Sequence, residues 1–179
     1  MIRAFLSMIL ARFEARYDYD AAYIRDLLAA SPKAFGALQG VRKLASYRAG
    51  APPAALAAAG LVATMSEDCG ACVQIGVRIA EENHVPADVL RAILAGDTAA
   101  MGVDAALAYQ FARSSLVRDL EGADVLRDAV LARWGLQGLS AIALAMAASR
   151  VYPTVKYAMG HGKTCSRVQV GGKLMAVRT

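Results

Sequence analysis

Cysteine and histidine are scarce in this chain, with three cysteines and two histidines. Three cysteines are too few for the paired-disulfide framework of a small secreted domain. A closed zinc site needs four ligands, and here it would have to gather Cys69, Cys72, His161 and Cys165 from distant parts of the chain. Long hydrophobic runs are also missing. The nearest, Trp134 to Ser149, falls short of the roughly 18 charge-free residues of a membrane helix and is interrupted by Gly135, Gln137 and Gly138. No integral membrane segment is therefore expected. The N-terminus has an apolar stretch but no small-residue cleavage pattern, and Arg12, Glu14 and Arg16 follow at once. The expectation is a mature, cytoplasmic protein.

Acid is absent from one part of the chain. Residues 1–128 carry 13 basic and 15 acidic side chains, but no acid follows Asp128. Arg133, Arg150, Lys156, Lys163, Arg167, Lys173 and Arg178 make the C-terminal third basic. Such a third could attract an acidic partner, an anionic substrate or a membrane surface; the preferred reading is that it meets acidic surface elsewhere in the fold or on another subunit. No nucleic-acid-binding motif accompanies the charge, so nucleic acid is not an expected partner.

What the chain does have is apolar content, 57% of its 179 residues, which excludes intrinsic disorder and predicts one domain with a substantial core. Helical spacing runs almost end to end. Ile2, Phe5, Leu6, Ile9, Leu10, Phe13 and Tyr17 form one apolar stripe suited to docking on the core or a neighbouring subunit. Further helices are predicted over 20–29, from Pro32, over 53–65, 69–82 and 86–95, then over 104–118, 124–133 and 138–151, with Tyr152-Pro153 ending or kinking the last. Only the tail "SRVQVGGKLMAVRT" alternates like a strand. The fold class is all-α, in a single domain over 1–179.

Within it, "SEDCGACVQIG" (66–76) sets two thiols three residues apart where a polar turn meets an apolar run. With Asp68 as N-cap, Cys69 and Cys72 share the first turn of a helix on one side, within reach of a disulfide. The partial positive charge of first-turn amides favours thiolate. Glu67 and Asp68 oppose this beside Cys69, which makes Cys72 the better thiolate and Cys69 its resolving partner. A redox pair, half of a metal site and a packing pair all stay open on these residues alone. His84, in "ENHVP", reads as a surface or C-capping histidine. Trp134 reads as core or interface. "MGHGKTC" reads as a flexible basic loop.

The wider segment "MSEDCGACVQIGVRIAEENHVPADVLRAILAGD", with the helices of 105–152 after it, resembles the carboxymuconolactone decarboxylase and AhpD-like alkylhydroperoxidase superfamily. The likeness covers about residues 40–158, leaving N-terminal helices (1–39) and a basic tail (159–179) outside. It implies an all-α fold assembling as trimers or hexamers, no bound cofactor, and a dithiol that reduces hydroperoxide and is re-reduced by a lipoyl or other thiol protein. Cys72 would attack peroxide and Cys69 would close the disulfide. The family's proton relay, a glutamate and a histidine, falls here on Ala57 and Gly76, neither of which can move a proton. Two functions follow: a thiol–disulfide redox protein with weak alkylhydroperoxidase activity, or a catalytically quiet oligomeric scaffold.

Overall fold

Helix α5 (Pro53–Met65) is the centre of the molecule. Its sequence "PAALAAAGLVATM" is apolar on every side, and eight of its residues, from Ala55 to Met65, are buried. A helix without a polar face must be surrounded. Here α8 (Val103–Val117), α9 (Leu120–Ala158), α6 (Gly70–Glu82) and α7 (Ala87–Ala95) surround it, and its alanines let the α8 and α9 backbones come close. Leu61, Val73, Val77, Leu90, Ile93, Leu94, Met101, Val130 and Ile142 fill the space between these helices. The computed structural model describes residues 2–162 and 167–176, which are mainly helical, with one two-stranded sheet.

A second apolar cluster joins the N-terminal helices to this core. Leu10 of α1 (Ile2–Tyr17), Tyr19, Tyr23, Ile24 and Leu28 on or before α2 (Ala22–Ala30), and Phe35 and Leu38 of α3 (Pro32–Gln39) pack on Ala71 and Ile75 of α6 and on Val151, Tyr152 and Val155 of α9. Polar ties supplement the packing. Arg16 and Tyr17 donate to the Glu82 carboxylate at 2.8 and 3.0 Å, and His161 meets Asp26 at 2.7 Å. Burial pushes the Tyr19 hydroxyl up and the Tyr23 hydroxyl far up. Buried Lys156 sits over the Tyr19 ring, 5.3 Å from its centroid.

A short helix, α4 (Val41–Ser46), leads to the turn at Gly50. Gly50 has φ of 81°, and a Cβ there would stand 2.7 Å from the Gly138 backbone nitrogen. Two glycines thus let the turn rest on α9. Gly50→Ala combines a left-handed alanine with a backbone collision, and is expected to cost roughly 2–5 kcal/mol, read as a lowered denaturant midpoint.

Helix α9 consists of the two helices predicted around 124–133 and 138–151, joined across a kink at Gly135, whose non-helical backbone lies where the break is expected. It runs through buried Pro153 to Ala158, so Tyr152-Pro153 does not end it. Proline removes the hydrogen bond to the carbonyl four residues back and crowds that carbonyl, and the packing of buried Pro153 carries the helix across. By length and composition α9 is apolar enough to cross a membrane; 28% of its most apolar window is buried, and the helix packs on α5 and α8. The tail is a hairpin, β1 (Arg167–Val170) paired antiparallel with β2 (Lys173–Ala176) through a two-glycine turn.

Candidate redox site

Helix α5 ends at Met65, and the chain turns through Ser66, Glu67 and Asp68 before α6 begins. The turn is closed by the Glu67 amide donating to Thr64 O at 3.2 Å and the Asp68 amide to Met65 O at 3.1 Å. Asp68 has φ of 50°. A helix N-cap needs extended backbone, so Asp68 does not cap α6 as its sequence position suggested; Cys69 occupies the N-cap, and the helix starts at Gly70. Cys72 lies in the first turn. The two cysteines form a disulfide, with Cα atoms 5.2 Å apart. Cys69 is 5% and Cys72 9% exposed.

The charges around the pair are arranged by α9. Arg150 Nε donates to Glu67 Oε1 at 2.5 Å. Glu67 is thereby held in an ion pair, and Asp68 is the acidic residue next to Cys69. Tyr157 Oη donates to the Asp68 carbonyl at 2.5 Å. Arg150 also edges a shallow groove along α9, with Ala147, Val151, Thr154 and Val155. The preferred reading of the basic third, acidic partners within the fold, holds for this pair and for Arg133 with Asp104 at 2.5 Å.

Ala57 of α5 and Gly76 of α6 line one cavity of about 140 Å³. The positions that the resemblance assigns to the glutamate and the histidine therefore come together in space. Leu61 closes the wall beside Gly76, where a Cβ would stand 2.9 Å from Leu61 Cδ2. Arg48, Asn83, Thr64 and Ser149 add polar atoms to the lining. Those of Arg48 and Asn83 bond to each other, and Thr64 bonds to Gly60 O. No lining side chain is an imidazole or a carboxylate.

The docking of the tail on the cysteine helix was not foreseen. Gln74, two residues after Cys72, donates to Gln169 O at 3.1 Å and accepts from the Gln169 amide at 2.6 Å, so its amide pairs with β1 as a strand would. The Gly171 amide donates to Glu81 Oε1 at 2.9 Å, and Val168 and Val170 are fully buried beneath. The only advance signal was the alternation of Val168 and Val170. His84 adopts φ of 61° just after α6, with its amide donating to Glu81 O and the Val85 amide to Ala80 O, so it is a C-capping residue. Trp134 packs against the main core.

His161 pairs with Asp26, and Cys165 lies outside the described residues, as does most of "GKTC". Among the described residues no group of three or more metal-ligating side chains occurs. Fold and site together define an all-α chain with a CxxC disulfide at the start of a helix that packs on both apolar clusters. Compared with family models, curated proteins and solved structures, the chain gives no match in any of the three.

Proposed function

We propose that this chain is an AhpD-like thiol–disulfide redox protein whose Cys69–Cys72 pair cycles between dithiol and disulfide and reduces hydroperoxides weakly. The observation that carries the reading is the closed pair at the start of α6, with Cys72 among first-turn amides that favour thiolate. The shared cavity of Ala57 and Gly76 supports the AhpD-like part. The proposal includes a homo-oligomer, trimeric or hexameric, a cytoplasmic setting without an integral membrane segment, and a lipoyl-type or other dithiol protein as reductant.

In the oxidising half, the Cys72 thiolate attacks the distal oxygen of the hydroperoxide. The O–O bond breaks, the alkoxide takes a proton and leaves as alcohol, and Cys72 becomes a sulfenic acid. The Cys69 thiolate then displaces hydroxide, which leaves as water once protonated, and the S–S bond forms. In the reducing half, a partner dithiol opens the disulfide through a mixed disulfide and is itself oxidised. With both cysteines about nine-tenths buried, the partner reaches sulfur when the 66–69 turn opens, so exchange is expected to be slow. The lost relay slows the peroxide step as well, since a positioned base contributes about 10²–10⁴-fold.

The test is to incubate the reduced protein with a hydroperoxide or with oxidised lipoamide at neutral pH, then alkylate and weigh it. Formation of the intramolecular disulfide is the expected result; thiols that stay reduced with both oxidants refute the reading. A second reading, a catalytically quiet scaffold of the same superfamily, is favoured by the apolar wall that Leu61 builds beside Gly76. It requires that replacing both Cys69 and Cys72 by serine leave the cellular role intact.

A further inference from the structure

The turn that presents Cys69 is held from outside. Its own bonds end at Asp68, which takes left-handed backbone, and Cys69 makes no side-chain cap hydrogen bond to α6. Two contacts from α9 grip consecutive residues immediately before that cysteine. Arg150 Nε holds the Glu67 carboxylate and Tyr157 Oη holds the Asp68 carbonyl, each at 2.5 Å. Gly162 sits where a Cβ would stand 2.3 Å from Tyr157 Cδ1, so the absence of a side chain there leaves room for the ring. Arg150 and Tyr157 stand seven positions apart, two turns of one helix face.

We propose that Tyr157 and Arg150 are positioning residues that set the thiol–disulfide equilibrium of Cys69 and Cys72 by holding the 67–69 turn closed. The inference rests on the redox reading above and gives it a means of adjustment. In the disulfide form the S–S bond itself restrains Cys69. In the dithiol form only the turn does, and there the two straps keep Cys69 Sγ facing Cys72. Preorganising the reduced pair lowers the ordering cost of closing the ring. Loss of either strap frees the reduced form more than the oxidised one, and the balance moves toward dithiol. Neither side chain touches a reacting atom in this role. An exposed ion pair and one tyrosine hydrogen bond contribute little to global stability, so the effect is local to the turn.

The experiment equilibrates the full chain with graded mixtures of reduced and oxidised glutathione. In each mixture two protein thiols are exchanged for one disulfide as one oxidised glutathione becomes two reduced ones. Tyr157→Phe and Arg150→Gln are each expected to lower the equilibrium constant for disulfide formation by roughly two- to tenfold, a tenfold change being about 30 mV. Thr154→Ala is the control. Its hydroxyl bonds to Arg150 O within α9 and to nothing in the turn, and its equilibrium is expected to match wild type. Denaturant midpoints of the reduced proteins, measured alongside, separate a shift in redox balance from general loosening. Wild-type titration with unshifted Tyr157→Phe and Arg150→Gln overturns the positioning role and leaves the redox reading standing, as does an equal shift in Thr154→Ala. A wild-type pair that stays reduced in every mixture removes the redox reading and this inference with it.

Discussion

Cys72→Ser is expected to abolish hydroperoxide consumption driven by dihydrolipoamide, whereas Cys69→Ser is expected to retain one round of oxidation at Cys72 and then stop. The asymmetry comes from where α6 places each sulfur. Cys69 is the N-cap, outside the helix and next to the acidic Asp68; Cys72 is inside the first turn, one turn further from that carboxylate. A negative neighbour disfavours thiolate, and on the proposed redox reading this assigns attack to Cys72 and closure of the disulfide to Cys69. Serine cannot form a sulfenic acid, and loss of the attacking sulfur leaves no path to peroxide. In Cys69→Ser the sulfenic acid forms but has no neighbour to close on. A sulfenic-specific dimedone adduct on Cys72 in that variant, absent in Cys72→Ser, is the result that checks the assignment by mass spectrometry. The adduct on Cys69 in the opposite variant would reverse the two roles.

The parts of this arrangement that were legible in the sequence are those set by local chemistry. Apolar spacing marked the helices, and Gly135 with Gly138 marked the break between the two C-terminal helices, which the backbone makes at Gly135. The thiol pair at a helix start was readable because i, i+3 spacing is a local property. What was not readable depends on distant partners. Asp68 looks like an N-cap by residue type, but Tyr157 and Arg150 hold its turn in a conformation that moves the cap to Cys69. Glu67 looks like a charge bearing on Cys69 until Arg150 takes it. Pro153 looks like a helix end, and tertiary packing overrides it. The Gln74 amide that receives β1 gave no local sign of its role, because its partner lies near the other end of the chain.

On the AhpD-like reading, installing a proton relay is expected to raise peroxidase turnover by about 10²–10⁴-fold, the usual contribution of a positioned general base. The variant is Ala57→Glu with Gly76→His, with a third change to make room. The space beside Gly76 is taken by Leu61, itself only 2% exposed, and a Cβ at residue 76 already comes within 2.9 Å of its Cδ2. An imidazole there meets the end of the Leu61 side chain, which has to shift or be cut back to admit it. Leu61→Ala opens the wall at a cost of roughly 2–5 kcal/mol if the space were left empty, and the new ring fills part of it. Because Ala57 and Gly76 line the same cavity, the carboxylate and imidazole would enter one space, and Gly76 follows Cys72 by one turn of α6. The expected pattern is little gain from Ala57→Glu with Gly76→His alone, a large gain with Leu61→Ala added, and complete loss of that gain when Cys72→Ser is added in turn. A folded triple variant with no gain would mean that proton transfer to this dithiol does not pass through the α5–α6 cavity. The AhpD-like reading would then fail at the site where it makes its most specific claim, even if the disulfide itself still cycles.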